Sequence, residues 1–136
     1  MSTNMRTKEH LVPLLLRVGL AFAFIYPAVA AHFDPFSWIG FFPEFLRDLF
    51  SGNDTLLLYL FGASEVIIAL WILIGRNVFI PSMIAALYLA AIVLLNFSLL
   101  DITFRDISIL AMALALAVME YGKNEAIPAP PNTLNR

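Results

Sequence analysis

The sequence contains no cysteine and few charged residues. Without cysteine the chain cannot supply a disulfide, a thiol redox couple, an iron–sulfur cluster or a cysteine-ligated metal site. Charged residues make up 13% of the chain, about half of the ~25% that is usual in soluble domains. No block of basic residues is present, which argues against a nucleic-acid partner.

Histidines and catalytic motifs are also scarce. His10 and His32 flank opposite ends of the first apolar segment. Their separation of roughly 22 positions corresponds to ~33 Å along a helix, so one subunit cannot use both to ligate one haem. The sequence has no phosphate-binding loop, no HExxH motif and no Ser/His/Asp set with a suitably placed histidine. Enzymatic activity stays open, but we expect none from this chain alone.

Apolar residues dominate what is present. Hydrophobic residues are 61% of the 136 residues, and the mean hydropathy is +0.86. Four apolar segments are long enough to cross ~30 Å of hydrocarbon, and a bilayer requires their backbone groups to be satisfied internally. The sequence therefore predicts an all-α, four-transmembrane-helix bundle with spans at Leu11 to Ala31, Leu56 to Ile74, Val78 to Leu100, and Thr103 to Tyr121.

The predicted connections differ in length. Only Asp101 and Ile102 separate the third and fourth spans, which predicts a tight hairpin with Asp101 as the N-cap of the fourth helix. Gly75-Arg76-Asn77 closes the second hairpin. The outer loop, residues 32 to 55, is long and aromatic.

This loop contains a further predicted helix. The segment Pro43 to Phe50 starts with a proline suited to a first helical turn, and its apolar residues share one face. We expect a short amphipathic helix, located between the first two spans in the chain, that lies on the outer membrane interface and caps the bundle. The loop aromatics then form either a belt at the headgroup level or a lid over a lipid-side pocket.

Lysine and arginine predict the orientation. If the N-terminus is inside, five basic residues lie on the inner side and two on the outer side, so both termini are expected in the cytoplasm. Residues 1–10 would be a cytoplasmic segment, and the proline-rich residues 122–136 a disordered cytoplasmic tail. The inner residues are Arg6, Lys8, Arg76, Lys123 and Arg136, and the outer ones are Arg47 and Arg105.

Residues 1–31 also resemble a secretory signal. A charged start precedes an apolar stretch, and Ala28-Val29-Ala30 has the small-x-small form of a cleavage site. Arg17 interrupts the apolar stretch, which is longer than a typical signal core. We therefore favour retention; cleavage would leave three spans.

Glu65 and Arg17 are charged residues that the sequence places deep within the predicted spans. An unpaired charge near the bilayer centre costs several kcal/mol, and their estimated depths differ by only ~5 Å. We expect them to pair across the first two spans as a buried polar centre. The pair is either a structural clamp or part of a ligand or proton site. Alternatively, Arg17 extends to cytoplasmic water and Glu65 is protonated.

Secondary polar candidates lie nearer the predicted outer surface. Arg105 and Asp106 begin the fourth span, where they are interface anchors or form an outward-facing pocket with Asp34 or Tyr26. Asn96 in the third span is expected to join helices by hydrogen bonding.

Three short motifs in order resemble the DoxX-like family of small membrane proteins. They are Leu16-Arg17-Val18-Gly19, then Gly62-Ala63-Ser64-Glu65 followed by Leu73-Ile74-Gly75-Arg76, and finally Phe104-Arg105-Asp106-Ile107-Ser108-Ile109-Leu110. The resemblance implies a four-helix bundle in a prokaryotic cytoplasmic membrane. It further implies an accessory or quinone-binding subunit of a membrane redox system, working with a partner subunit.

Three functional hypotheses follow. The first is a DoxX-like subunit that holds a quinone or another lipid-like molecule at Arg17 and Glu65. The second is a small proton-coupled transporter or channel that uses Glu65 and forms a homo-oligomer. The third is a purely structural membrane protein in which the polar pair fixes the fold.

Overall fold

The structure, a computed structural model, describes the backbone of residues 2–125 and the side chains of residues 10–123. All regular structure in this part of the chain is helical. Four long helices, two short ones and a 3-10 turn at Phe97–Leu99 follow in sequence. The helices are α1 Ser2–Phe33, α2 Pro35–Ile39, α3 Glu44–Leu49, α4 Asp54–Ile74, α5 Phe79–Leu95 and α6 Leu100–Glu125.

The four long helices form a closed ring. α1 packs most extensively on α4 and α5 on α6, while thinner contacts between α1 and α6 and between α4 and α5 complete the ring. Ala28 of α1 lies against Gly62 of α4, and the small residues Ala69 and Ala113 are fully buried. Small side chains of this kind allow helix backbones to approach closely. The bundle core also includes Leu20, Phe24, Ile72, Leu89 and Leu116.

Three of these helices are long and apolar enough to cross a membrane. They cover His10–Phe33, Asp54–Ile74 and, with the 3-10 turn included, Phe97–Lys123. α5 has 17 residues, or about 25 Å, which is less than the ~30 Å of a hydrocarbon core. An all-helical chain with three membrane-length helices is typical of a membrane protein, as the sequence predicts.

α5 ends earlier than the predicted third span. The helix stops at Leu95 because Asn96 departs from helical geometry. The Asn96 side-chain amide and its backbone N–H both donate to the Ile92 carbonyl, each at 3.0 Å. The chain then reverses through the 3-10 turn, so the hairpin lies at residues 96–99. Asp101 consequently falls in the first turn of α6 instead of preceding it.

The long loop contains two short helices where the sequence predicts one. α3 occupies most of the predicted segment Pro43 to Phe50, and α2 is an additional helix that begins at Pro35. Leu49 of α3 is exposed, whereas Leu46 and the partly exposed Phe45 lie against the end of the bundle. α3 therefore presents apolar side chains both outward and inward.

An ion pair ties α3 to the start of α4. Arg47 donates two hydrogen bonds to the Asp54 carboxylate, from Nε at 3.0 Å and from a terminal nitrogen at 2.6 Å. The hydrogen bond and charge of Asp54 raise the pKa of Arg47 above its ordinary value. Between them the chain turns through positive φ at Ser51 and Gly52, and the Asn53 side chain accepts the Leu56 N–H at 3.1 Å to cap α4.

Both chain ends continue as helix beyond the predicted domain limits. α1 already begins at Ser2, within the predicted N-terminal segment, and α6 runs to Glu125. The predicted proline-rich tail beyond Glu125 lies outside the described residues.

Candidate functional site

A cavity of about 300 Å³ lies at one end of the bundle. The C-terminal parts of α1 and α5 and the N-terminal parts of α4 and α6 surround it, and the loop with α2 and α3 covers it. This is the outer end in the predicted orientation. Cavities of this size that are mostly apolar and carry a few polar groups are typical of small-molecule sites.

Aromatic rings form much of the cavity wall. Phe42 of the loop packs edge-on against Phe61 of α4, with ring centroids 4.8 Å apart. Tyr88 of α5 lies 5.9 Å from Phe61 and 5.8 Å from Phe24 of α1. These contacts join three helices and the loop into one wall. The aromatic lining residues are Phe24, Trp38, Phe41, Phe42, Phe45, Phe61 and Tyr88.

Glu65 is the polar residue that reaches the cavity from α4. Within the described part of the chain, its carboxyl group has no hydrogen bond and no ion pair. Its oxygens are not sealed in packed protein either, because Ser82 Oγ is the one fully buried side-chain polar atom that lacks a partner among those residues. The Glu65 carboxyl is therefore open to whatever occupies the cavity.

Asp106 and Arg105 reach the same cavity from the first turns of α6. The Asp106 side chain is largely buried, and Arg105 is half exposed. Arg105 Nε lies 3.8 Å from Asp106 Oδ1, at the outer limit of an ion pair. The two neighbours thus touch each other at the cavity rim, although Asp106 points further inward.

Asn96 is a buried polar residue of the cavity wall. It is 8% exposed. Its amide nitrogen donates to Ile92, so the amide group presents its oxygen as an acceptor without a partner in the described residues. The predicted role of Asn96 in joining helices is replaced by a bond within its own helix.

The structure does not bring Arg17 and Glu65 together. Arg17 donates to the Gly75 carbonyl at 3.2 Å and to Glu120 Oε1 at 3.4 Å. Gly75 lies roughly ten residues beyond Glu65 on α4, so Arg17 sits ~15 Å further along the bundle axis. The predicted pair is wrong because the depth estimate treated the inner ends of the first two spans as level, whereas Arg17 of α1 lies beside Gly75, just past the end of α4.

Glu120 is the acid that sequence reasoning missed. It is 6% exposed and accepts a hydrogen bond from Lys123 Nζ at 2.8 Å in addition to the one from Arg17. We call Arg17, Gly75, Glu120 and Lys123 the charged clamp. A signal was available, because Glu120 lies inside the predicted span Thr103 to Tyr121, as Glu65 lies inside its own.

Tyr26 and Asp34 do not line the cavity. Tyr26 is 56% exposed on the outside of α1, with its ring 6.0 Å from that of Phe22. Asp34 is exposed and accepts the Ser37 hydroxyl at 2.6 Å. The polar pocket around Arg105 and Asp106 is therefore completed by Glu65 and Asn96 and not by these two residues.

Comparison of the chain with protein-family models, with curated proteins and with solved structures finds no match. The likeness to DoxX-like proteins stays an expectation that rests on three short motifs. Two of those motifs contribute polar residues to the same cavity. One supplies Glu65, and the other supplies Arg105 and Asp106. The arrangement can hold an amphipathic molecule, with its apolar part on the rings and its polar part at Glu65.

Proposed function

We propose that this chain is a four-span, DoxX-like integral membrane protein that binds one amphipathic, lipid-like molecule in the cavity at its outer end. The observation that carries the proposal is the Glu65 carboxyl, which opens without a partner among the described residues into a cavity lined by aromatic rings. An unpaired carboxyl at membrane depth is costly, and such residues usually serve a site.

Two features support α5 as the fourth span despite its length. α4 and α6 both run from the cavity end towards the clamp end, so the chain between them has to return across the full bundle. The outward face of α5 is apolar along its length, with Ile80, Leu87 and Leu94 exposed. Such a face suits lipid.

The resemblance supplies the biological setting of this proposal. It makes an isoprenoid quinone the first occupant to look for and a membrane redox system the expected context. The chain has no cysteine, so a partner subunit or a bound quinone would have to carry the electrons. The chain itself would act as an accessory, ligand-holding subunit.

Mass spectrometry of the protein purified in mild detergent tests the proposal. We expect a near-stoichiometric small molecule in the wild-type protein and its loss in Ala23→Phe, which fills the cavity from α1. Val18→Phe places the same ring on the exposed side of the same helix and should keep the molecule. Bulk lipid alone in the wild type, or equal content in both variants, would contradict binding in this cavity.

A further inference from the structure

We infer that the cavity selects a lipophilic organic cation, an ammonium group on an apolar or aromatic body. This inference rests on the proposed function, since it names the chemical class of the molecule held there. Three properties of the cavity wall support it: the hydrogen-bond donors and acceptors that its side chains leave free, its net charge, and its aromatic rings.

The hydroxyl protons of the wall and one of the two Asn96 amide protons are already used within the protein. Ser64 donates to the Phe61 carbonyl at 2.7 Å, so the Tyr88 hydroxyl, 3.3 Å from Ser64 Oγ, is the donor in that second contact. Thr103 donates to the Leu99 carbonyl, and the Asn96 amide to Ile92. What these side chains leave towards the cavity is acceptor oxygen, apart from the second Asn96 amide proton.

The carboxyl groups add further acceptors and negative charge. Glu65 has no partner within residues 10–123, and Asp106 has only the marginal contact with Arg105. With all three ionised, Glu65, Asp106 and Arg105 sum to a net negative wall. Arg105 is also the half-exposed member, so its charge is the one that water screens most.

The aromatic wall suits a cation for a separate reason. The faces of Phe, Tyr and Trp rings carry negative electrostatic potential and attract ammonium groups, most strongly where water is excluded. Phe24, Phe61 and Tyr88 lie within one cluster beside Glu65. An ammonium group in the cavity would meet rings and carboxylate oxygens together.

A quinone presents the opposite chemistry. Its carbonyl oxygens accept hydrogen bonds and carry no positive charge, and the described wall offers Arg105 as its one cationic donor beside the neutral N–H groups of Trp38 and Asn96. The wall is therefore better matched to a ligand that donates. The two ligand classes can be separated by direct binding.

The test uses probes of matched length on the full chain in nanodiscs of zwitterionic lipid. 4-Phenylbutylammonium, 4-phenylbutanol and 4-phenylbutyrate carry a cation, a neutral group and an anion on the same body, and decylubiquinone represents the quinones. Calorimetric titration against empty nanodiscs removes simple partitioning. We expect the ammonium to bind at least about tenfold more tightly than the alcohol, with the butyrate weakest.

Two substitutions locate the selectivity. Glu65→Gln should reduce the preference for ammonium over alcohol to about twofold or less. Glu44→Gln removes the same charge from the exposed surface of α3 at the same end of the bundle and should leave the preference intact. If Glu65→Gln does not fold, Asp106→Asn provides a second variant with the same expected direction.

Each outcome decides between the two proposals. Equal binding of ammonium and alcohol, preference for butyrate or decylubiquinone, or an unchanged preference in Glu65→Gln would overturn the cation inference and leave cavity binding standing. Failure of all four probes, together with no co-purifying molecule, would overturn cavity binding as well.

Discussion

The two ends of the bundle each hold a glutamate inside an apolar helix, with opposite surroundings. Glu120, in the charged clamp, is 6% exposed and accepts hydrogen bonds from Arg17 and Lys123. Glu65, at the cavity, has neither an ion pair nor a hydrogen bond in the described part of the chain. The local sequences, Val118-Met119-Glu120-Tyr121 and Ala63-Ser64-Glu65-Val66, do not distinguish the two cases.

Under the proposed function, the difference separates a structural charge from a ligand-binding one. A buried carboxylate with two cations satisfies its own charge and fixes the positions of α1 and α6, so it needs no further partner. A carboxyl that opens into a cavity and has no partner in the protein needs a partner from outside the protein. The four predictions below test this distinction, starting with the largest effect.

The largest effect is expected from breaking the clamp at its centre. Glu120→Leu leaves Arg17, whose side chain is 21% exposed, with the Gly75 carbonyl as its remaining partner among the described residues. Removing one partner of a buried ion pair typically costs about 3–5 kcal/mol. The free energy of unfolding, measured by titration with a denaturing detergent and followed by circular dichroism, should fall by that amount.

A double substitution checks that the loss comes from the pair. Arg17→Leu together with Glu120→Leu should recover part of the stability, because an apolar pair can replace a buried ion pair. Arg17→Leu with Glu65→Leu should instead show additive effects, since those residues are ~15 Å apart along the bundle axis. Coupling in the second pair and not in the first would contradict the clamp.

A smaller loss is expected from Gly75→Ala. A Cβ at this position would lie on the Trp71 carbonyl, closer than real Cβ contacts, so the turn that supplies the Arg17 acceptor would have to shift. Overpacking of this kind typically costs about 1–3 kcal/mol.

Gly62→Ala at the cavity is the matched control. Its Cβ would meet Ala28 Cβ at 3.6 Å, an ordinary contact. The two variants are compared by the same detergent titration, and equal losses would show that the clamp turn is not the more constrained of the two.

The helical class and the positions of the long helices could be predicted from the sequence. Apolar segments of membrane length mark α1, α4 and α6 directly, and the proline before Glu44 marks the start of α3. The end of α5 could not be placed, because Asn96 stops the helix by a hydrogen bond to Ile92 inside a run that stays apolar up to Leu100.

The ion-pair partner of Arg17 could not be predicted from the sequence, for a geometric reason. Pairing Arg17 with Glu65 required the relative shift of α1 along α4, which packing at Gly62 and Ala28 sets and hydropathy does not report. The sequence did not point to Thr103 or Tyr88, but four other polar residues of the cavity wall, Glu65, Asn96, Arg105 and Asp106, were predicted candidates. Only their assembly around Glu65 needed the structure.

A contrasting result is expected at the cavity. Glu65→Leu removes a carboxyl that stabilises nothing in the described residues, so the free energy of unfolding should change by less than about 1 kcal/mol or rise. Binding of the ammonium probe should be lost in the same protein. Glu120→Leu, assayed at a temperature where it stays folded, should retain that binding. A loss of 3 kcal/mol or more in Glu65→Leu, on the order expected for a broken buried pair, would make Glu65 a structural charge like Glu120.

The smallest effect is expected at Ser82. This substitution tests whether an unpaired polar atom indicates a binding site wherever it lies. Its Oγ is fully buried in the first turn of α5 and has no partner among the described residues, yet it lines neither the cavity nor the clamp. An unsatisfied buried hydroxyl is a cost without a ligand to offset it, so Ser82→Ala should leave stability unchanged or raise it by up to about 1 kcal/mol. The thermal unfolding midpoint in detergent measures this.

The preference for the ammonium probe should stay as in the wild type, because a missing partner indicates a binding site only where the unpaired atom opens into a space that a ligand can enter. A loss of that preference in Ser82→Ala would show that the two ends of the bundle are coupled through α5.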